Sequence, residues 1–351
     1  MSSKIENSVR PLSDSINAAT RPIHIKLNKL VVSRLPLALP PQADDASQYV
    51  SGLLHITPIY IAFESLWGEI LNLSEPLEAD HSAKDSPPET ACEPAGVQPA
   101  DRPNAHCRPI IDTRIEALLT NLYFEGLQRS QALRQDLISL TGWSDLTLSE
   151  QLNNASKSPV LNDFLAHIEI SVGKSPHVLL AYAWVLYMAL FSGGRFIRAS
   201  LETIYPAFWI PASAQQPTPA ALADSTMTGV QPLSFFRFDT HEDGDNLKRE
   251  FKKRLLESEH CLTTPEREEV VEEARCIFEY MIQLVGELDD ICGTDKEAAE
   301  ARLLSLRSRD SLVVQKERRQ QLAESARNTT AQTAAERTRN WVEKAIQTLT
   351  K

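Results

Sequence analysis

Residues 178–194 read VLLAYAWVLYMALFSGG, an unbroken apolar run, Val178–Phe191, that stops at Ser192-Gly193-Gly194. A helical stretch that is apolar on every side is a buried helix. The run is shorter than the roughly 20 residues a bilayer-spanning helix requires, so it predicts a core helix of a folded domain. Adjacent glycines weaken a helix by about 1 kcal/mol each relative to alanine. The pair therefore predicts a kink, or a place where backbone closely approaches something flat or bulky. On the pair alone, a tight helix crossing or a helix end is the better reading.

Helical periodicity continues on both sides of this run. Ile115, Leu118, Leu119 and Leu122 recur at i, i+3, i+4 and i+7. Ile23, Leu27, Leu30 and Val31 form a second apolar stripe, with Thr20 as a candidate cap and Pro22 in the first turn. Residues 47–73, 158–172, 244–258 and 264–291 are further helical candidates. The last opens at Thr264-Pro265-Glu266, with proline expected at the first helical position. Alternating strand patterns of useful length and internal repeats are missing from the sequence, which places the chain in the all-α class.

Two stretches break the pattern. Residues 75–109 carry seven prolines among acidic and small residues, and residues 208–232 carry four among Ser, Thr, Ala and Gln. Neither has enough apolar periodicity to offset the entropy of ordering. Both are expected to be disordered inserts within one helical domain, residues 12–291, because helical patterns flank each. Residues 292–351 are expected to form a charged helical tail.

The 351-residue chain carries a net charge of −11, which argues against nucleic acid or an anionic membrane surface as a general partner. Its five cysteines are odd in number and contain no CxxC pair, so a disulfide framework is not expected and a reducing compartment fits better. The N-terminus MSSKIENSVRPLSDS lacks the apolar segment of a secretory signal, and the C-terminus lacks a hydrophobic tail. A cytoplasmic protein without a transmembrane anchor is the expectation.

Several constellations are candidates for chemistry. His24 lies on the apolar stripe with Leu27 and Val31, and a neutral imidazole there is either a core histidine or an iron ligand. Lys248 and Lys252 are four residues apart, hence on one helical face. They read as a solvated face or as a site for paired carboxylates or phosphates. Glu257 with His260, and Asp163 with His167, have metal-ligand spacing, but the matching inward carboxylates of a di-iron site cannot be assembled. The chain contains no GxSxG, P-loop or Rossmann fingerprint.

Taken in order, these features resemble the haem (heme) oxygenase family. Ile16-Asn-Ala-Ala-Thr-Arg-Pro-Ile-His24 is similar to the family's N-terminal helix, which supplies the proximal haem ligand. Residues 181–194 are similar to its distal helix, which ends in Ser-Gly-Gly and kinks so that backbone lies against the porphyrin. Phe235-Phe-Arg-Phe238 resembles the aromatic stretch that follows. Leu247-Lys-Arg-Glu-Phe-Lys252 resembles the basic helix that pairs with the haem propionates, and Glu272–Phe278 the late helix whose Phe lines the pocket. The resemblance covers roughly residues 12–291.

The resemblance implies a haem oxygenase-like bundle and an oxidoreductase that opens haem to biliverdin, releasing iron and carbon monoxide. Haem is then both cofactor and substrate, and a reductase supplies electrons. It implies His24 as the iron ligand, with Arg21, Trp184, Gly193, Gly194, Lys248, Lys252 and Phe278 around the haem. Ser192, Gly193 and Gly194 form the distal, catalytic side. One departure bears on activity. The family reads Gly-Asp-x-Ser-Gly-Gly, whereas this chain has Ala189 and Leu190 at the Gly and Asp positions. Asn17 likewise stands where the family often has a basic propionate partner. Leucine cannot hold the water that the family's aspartate anchors. The alternative to an enzyme is therefore a haem binder, carrier or sensor without turnover.

Overall fold

Every regular element among the described residues is helical, as a chain poor in glycine and rich in Leu, Ala, Glu and Arg dictates. The computed structural model describes residues 10–72, 111–211 and 231–294. The expected insert at 75–109 and the tail from 295 onward lie outside them. The second expected insert is too wide. Phe208 and Trp209 sit in a buried 3-10 turn, Pro206–Trp209, and Pro232 is buried too, because these apolar residues anchor the ends of the segment to the core. Residues 212–230 lie outside the described set.

The helices α1 (Leu12–Arg34) and α11 (Thr264–Ile291) lie side by side, while α2 (Ser47–Asn72) packs against α4 (Ser130–Thr141) and α6 (Pro159–Lys174). Helices α3 (Thr113–Leu122), α5 (Asp145–Ala155) and α10 (Asp245–Ser258) complete the surround. Through the middle run α7 (Leu179–Tyr182), a π turn (Ala183–Tyr187), α8 (Met188–Leu190) and, after a break, α9 (Gly193–Glu202). Every residue from Val178 to Tyr187 is buried.

With its neighbours, the quoted run forms a 27-residue stretch, Pro176–Glu202, long and apolar enough by composition to cross a membrane. It is therefore longer than Val178–Phe191 alone suggested. Its most apolar window is 72% buried inside the fold, so the protein core accounts for its hydropathy.

The helix termini show how distant residues set element boundaries. Helix α1 does not begin at Thr20. It begins eight residues earlier, at Leu12, whose N–H donates to the Glu259 carboxylate at 2.8 Å. That contact supplies the cap expected of Thr20. Thr20 lies inside the helix, its hydroxyl donating to the Ile16 carbonyl at 2.8 Å. Pro22 also lies inside, on the exposed side, where water can satisfy the carbonyl left free one turn earlier. Helix α11 opens with a capping box between Thr263 and Glu266, which places Pro265 second rather than first in the helix. Glu287 of α11 in turn accepts from Val160 N at 2.8 Å and Ser158 Oγ at 2.9 Å, capping α6 across the bundle. Ile115, Leu118, Leu119 and Leu122 are all buried, as their spacing predicts.

Candidate functional site

One cavity of about 580 Å³ lies between α1, the π turn with α8 and α9, and α10 with α11. Its size falls within the range typical of small-molecule sites. Each wall has its own chemistry, set by the element that builds it.

Helix α1 presents Arg21 and His24 to the cavity, with Asn28 one turn beyond His24. The imidazole of His24 packs edge-on against Phe278 of α11, with ring centroids 5.6 Å apart and planes at 86°. Neither of its ring nitrogens has a hydrogen-bond partner among the described residues. Met281, three residues from Phe278 and so on the same face of α11, also lines this side.

The opposite wall is apolar. Val185, Leu186, Met188, Ala189 and Phe191 line it before the chain reaches Ser192. The helix breaks at Ser192, whose backbone sits at φ −126°, ψ −92°, and Gly193 and Gly194 open the next helix. The expected kink thus falls just before the glycine pair, and neither glycine adopts a positive φ. A Cβ at Gly193 would meet no protein atom within 4 Å, whereas one at Gly194 would press on the Ala189 carbonyl at 3.3 Å. A side chain at 194 would thus be tight against the protein's own backbone, while the bare backbone of Gly193 faces open space at the cavity. Ser192 carries the one hydroxyl on this wall among the described residues. Leu190 is not part of it: at 4% exposure it points into the core, behind the cavity backbone.

The rim is cationic. Lys248 and Lys252 of α10 reach the cavity, their ammonium groups 5.7 Å from the Phe191 ring centroid and 5.4 Å from that of Trp184. Such contacts hold an ammonium over an aromatic face without neutralising it. Arg249 and Arg254 of the same helix pair with Glu242 and Glu250. Among the described residues no carboxylate pairs with Arg21, Lys248 or Lys252. Trp184 donates its indole N–H to Asn17 Oδ1 at 3.0 Å, which fixes both side chains at the edge of the cavity. Helix α10 is aimed here by Gly244 at φ 82°, where a Cβ would come within 2.6 Å of Phe238 and 2.8 Å of Phe191. Phe238 and Phe191 stack with centroids 4.6 Å apart.

Behind the apolar wall lies a buried polar cluster that the sequence reading did not anticipate. Glu64 accepts from Arg129 N at 2.7 Å, Ser130 N at 3.0 Å and Tyr187 Oη at 3.0 Å, and from the Ser130 hydroxyl. Burial pushes its carboxyl above the ordinary range against the pull of these donors. Arg129 spreads its guanidinium over the Phe238 ring at 4.2 Å and donates to the Arg237 carbonyl at 2.6 Å.

All nine residues expected around the ligand, Arg21, His24, Trp184, Ser192, Gly193, Gly194, Lys248, Lys252 and Phe278, line this one cavity. Asn28 and Met281 were missed, although their spacing from His24 and Phe278 was readable. The two other ligand-spaced pairs do not assemble. His167 contacts Glu273 at 3.0 Å rather than Asp163, and His260 bonds the Glu257 backbone carbonyl. No cluster of three metal-ligating side chains occurs among the described residues.

The cavity thus sets an imidazole across a slot from bare backbone and an apolar wall, with cations at the rim that no carboxylate pairs with among the described residues. The heme oxygenase family model matches residues 110–287. The chain belongs to that family. The heme-binding protein HMX1 of Saccharomyces cerevisiae is 27% identical over 192 residues, 52% of this chain and 57% of that protein. Human heme oxygenase 1 is 27% identical over 199 residues, 55% of this chain and 59% of its own length. The matches thus span less than two thirds of these relatives. Two solved structures share the fold. Heme oxygenase 2 from Chlamydomonas reinhardtii has a TM-score of 0.52 at 20% identity, covering 79% of this chain and 97% of its own. Heme oxygenase-2 from Synechocystis, in complex with heme and NO, has a TM-score of 0.54 at 14% identity, covering 83% and 91%.

Proposed function

We propose that this chain binds haem in the cavity between α1 and α9, and that its activity is the family's oxidative opening of haem to biliverdin. One observation carries the reading: an imidazole, a bare glycine backbone and three cations, none of these side chains paired among the described residues, converge on one cavity. When bound, haem supplies the iron and the porphyrin that the family's reaction consumes, with dioxygen and electrons from a reductase. His24 would hold the haem iron through an imidazole nitrogen. Arg21, Lys248 and Lys252 would hold the carboxylates of the haem edge by charge-assisted hydrogen bonds. Phe278 fixes the plane of the imidazole, and the apolar wall excludes water from the ring edge.

A second reading rests on that same wall. Ser192 carries its one hydroxyl among the described residues, and that hydroxyl is turned toward the Met188 and Ala189 carbonyls at 3.4 and 3.3 Å. A pocket without a carboxylate on this side suits a haem binder, carrier or sensor. Incubating the full chain with haem, reductant, a reductase and oxygen separates the two. Biliverdin accumulation is the expected result, and a haem spectrum that persists unchanged selects the second reading.

Gly193→Ala checks the backbone contact. Thermal stability is expected to stay level or rise, because the added methyl meets no protein atom and alanine favours a helix. Haem affinity is expected to fall. Unchanged affinity in calorimetry would show that the ligand does not approach Gly193.

A further inference from the structure

We infer that Tyr60 is a positioning residue that holds the π turn at Ala183–Tyr187 and thereby decides which side chain faces the cavity. A π turn pairs i with i+5 and accommodates one residue more than an α-helical turn, and such turns concentrate at functional sites. The extra residue disturbs the regular ladder, so a backbone group there needs another partner. The Tyr60 hydroxyl donates to a carbonyl inside this turn, that of Leu186, at 3.1 Å in a fully buried contact. The phenol is held in place, because its ring packs edge-on against Phe235 at 5.3 Å and at a tilt against Phe63 at 5.5 Å. Four residues on, and so on the same face of α2, Glu64 takes the hydroxyl of Tyr187, the last residue of the π turn. Two adjacent residues of the turn are thus latched to one face of α2.

The consequence is one of register. Each helical residue advances about 100° around the axis. Collapse of the π turn to a regular α turn would shift everything downstream by one position. Ala189 is now exposed to the cavity, while Leu190 is buried behind it. Its neighbours on either side, Met188 and Leu190, are both bulkier, so a shift in either direction fills the slot that the small side chain leaves open. Tyr60 therefore acts on the cavity through the backbone, without lining it.

The inference rests on the haem-pocket reading only where it concerns ligand affinity, and the test keeps the two apart. Tyr60→Phe retains the ring and removes the hydroxyl. Tyr182→Phe is the control: it removes a buried phenol of α7 that bonds Glu273, upstream of the π turn. Both variants are expected to lose some thermal stability. Only Tyr60→Phe is expected to speed hydrogen exchange of the amides at 183–190 in the ligand-free chain. It is also expected to raise the haem dissociation rate about five-fold, within the range a single hydrogen bond commands. Ala189→Leu, with Tyr60 intact, is expected to reproduce the loss of haem retention. Unchanged exchange at 183–190 in Tyr60→Phe overturns the latch, whether or not the chain binds haem. Faster exchange with wild-type haem retention overturns its role in shaping the cavity.

Discussion

Replacing His24 by alanine is expected to lower haem affinity at least about 100-fold, equivalent to about 2.8 kcal/mol, while the fold survives. The asymmetry follows from what the side chain touches. His24 is exposed to the cavity, and its one ring contact is the edge-on approach to Phe278. Removing it opens space at a surface already open and strands no buried donor. An axial imidazole, by contrast, is the bond that ties haem iron to the protein. Free imidazole added to His24→Ala is expected to restore part of the absorption spectrum. Chemical denaturation should give His24→Ala the same midpoint as the wild type without haem, and a large drop there would mean that His24 is a structural residue.

Leu190→Asp is the second large effect, and it runs against what the sequence resemblance suggests. On the sequence alone, restoring aspartate at the family's position reads as a repair. The structure predicts damage. Leu190 is 4% exposed, lies against the Gly194 backbone and does not line the cavity. A carboxylate there would be buried without a partner, at a cost of about 3–5 kcal/mol, or would take up a proton to avoid it. That is a large fraction of the stability of a folded domain. A lowered melting temperature with no gain in turnover is expected. A variant as stable as the parent that opens haem faster would show that position 190 reaches the cavity after all.

The contrast between these residues shows what is readable in a sequence of this kind. The α3 stripe follows from spacing and residue type alone, because local propensity and tertiary packing agree there, and the start of α11 was readable to within one residue. The start of α1 was not. Thr20 and Pro22 form a plausible local start signal, yet Glu259, nearly 250 positions away, caps the helix eight residues earlier. The π turn is equally hidden, because a run that is apolar on every side carries no phase from which a one-residue shift can be read. Glu64 has no local signature either; its role depends on α4 and the distal helix meeting around it.

The cavity residues were legible for another reason. His24, Lys248, Lys252 and Gly193 are local features that each have a commonplace explanation, and only their order along the chain pointed to one pocket. In three dimensions these side chains and this backbone line one cavity, with the cations unpaired among the described residues. It also moves the break from the glycines to Ser192 and turns Leu190 away from the site, two details that depend on backbone angles rather than composition.

The most direct measurement is a haem titration of the full chain, followed in the Soret region, with electron paramagnetic resonance of the ferric complex at saturation. One haem per chain is expected, with an axial-nitrogen signature that is lost in His24→Ala. No Soret shift, or an identical signature in wild type and His24→Ala, would contradict the assignment of this cavity as a haem site.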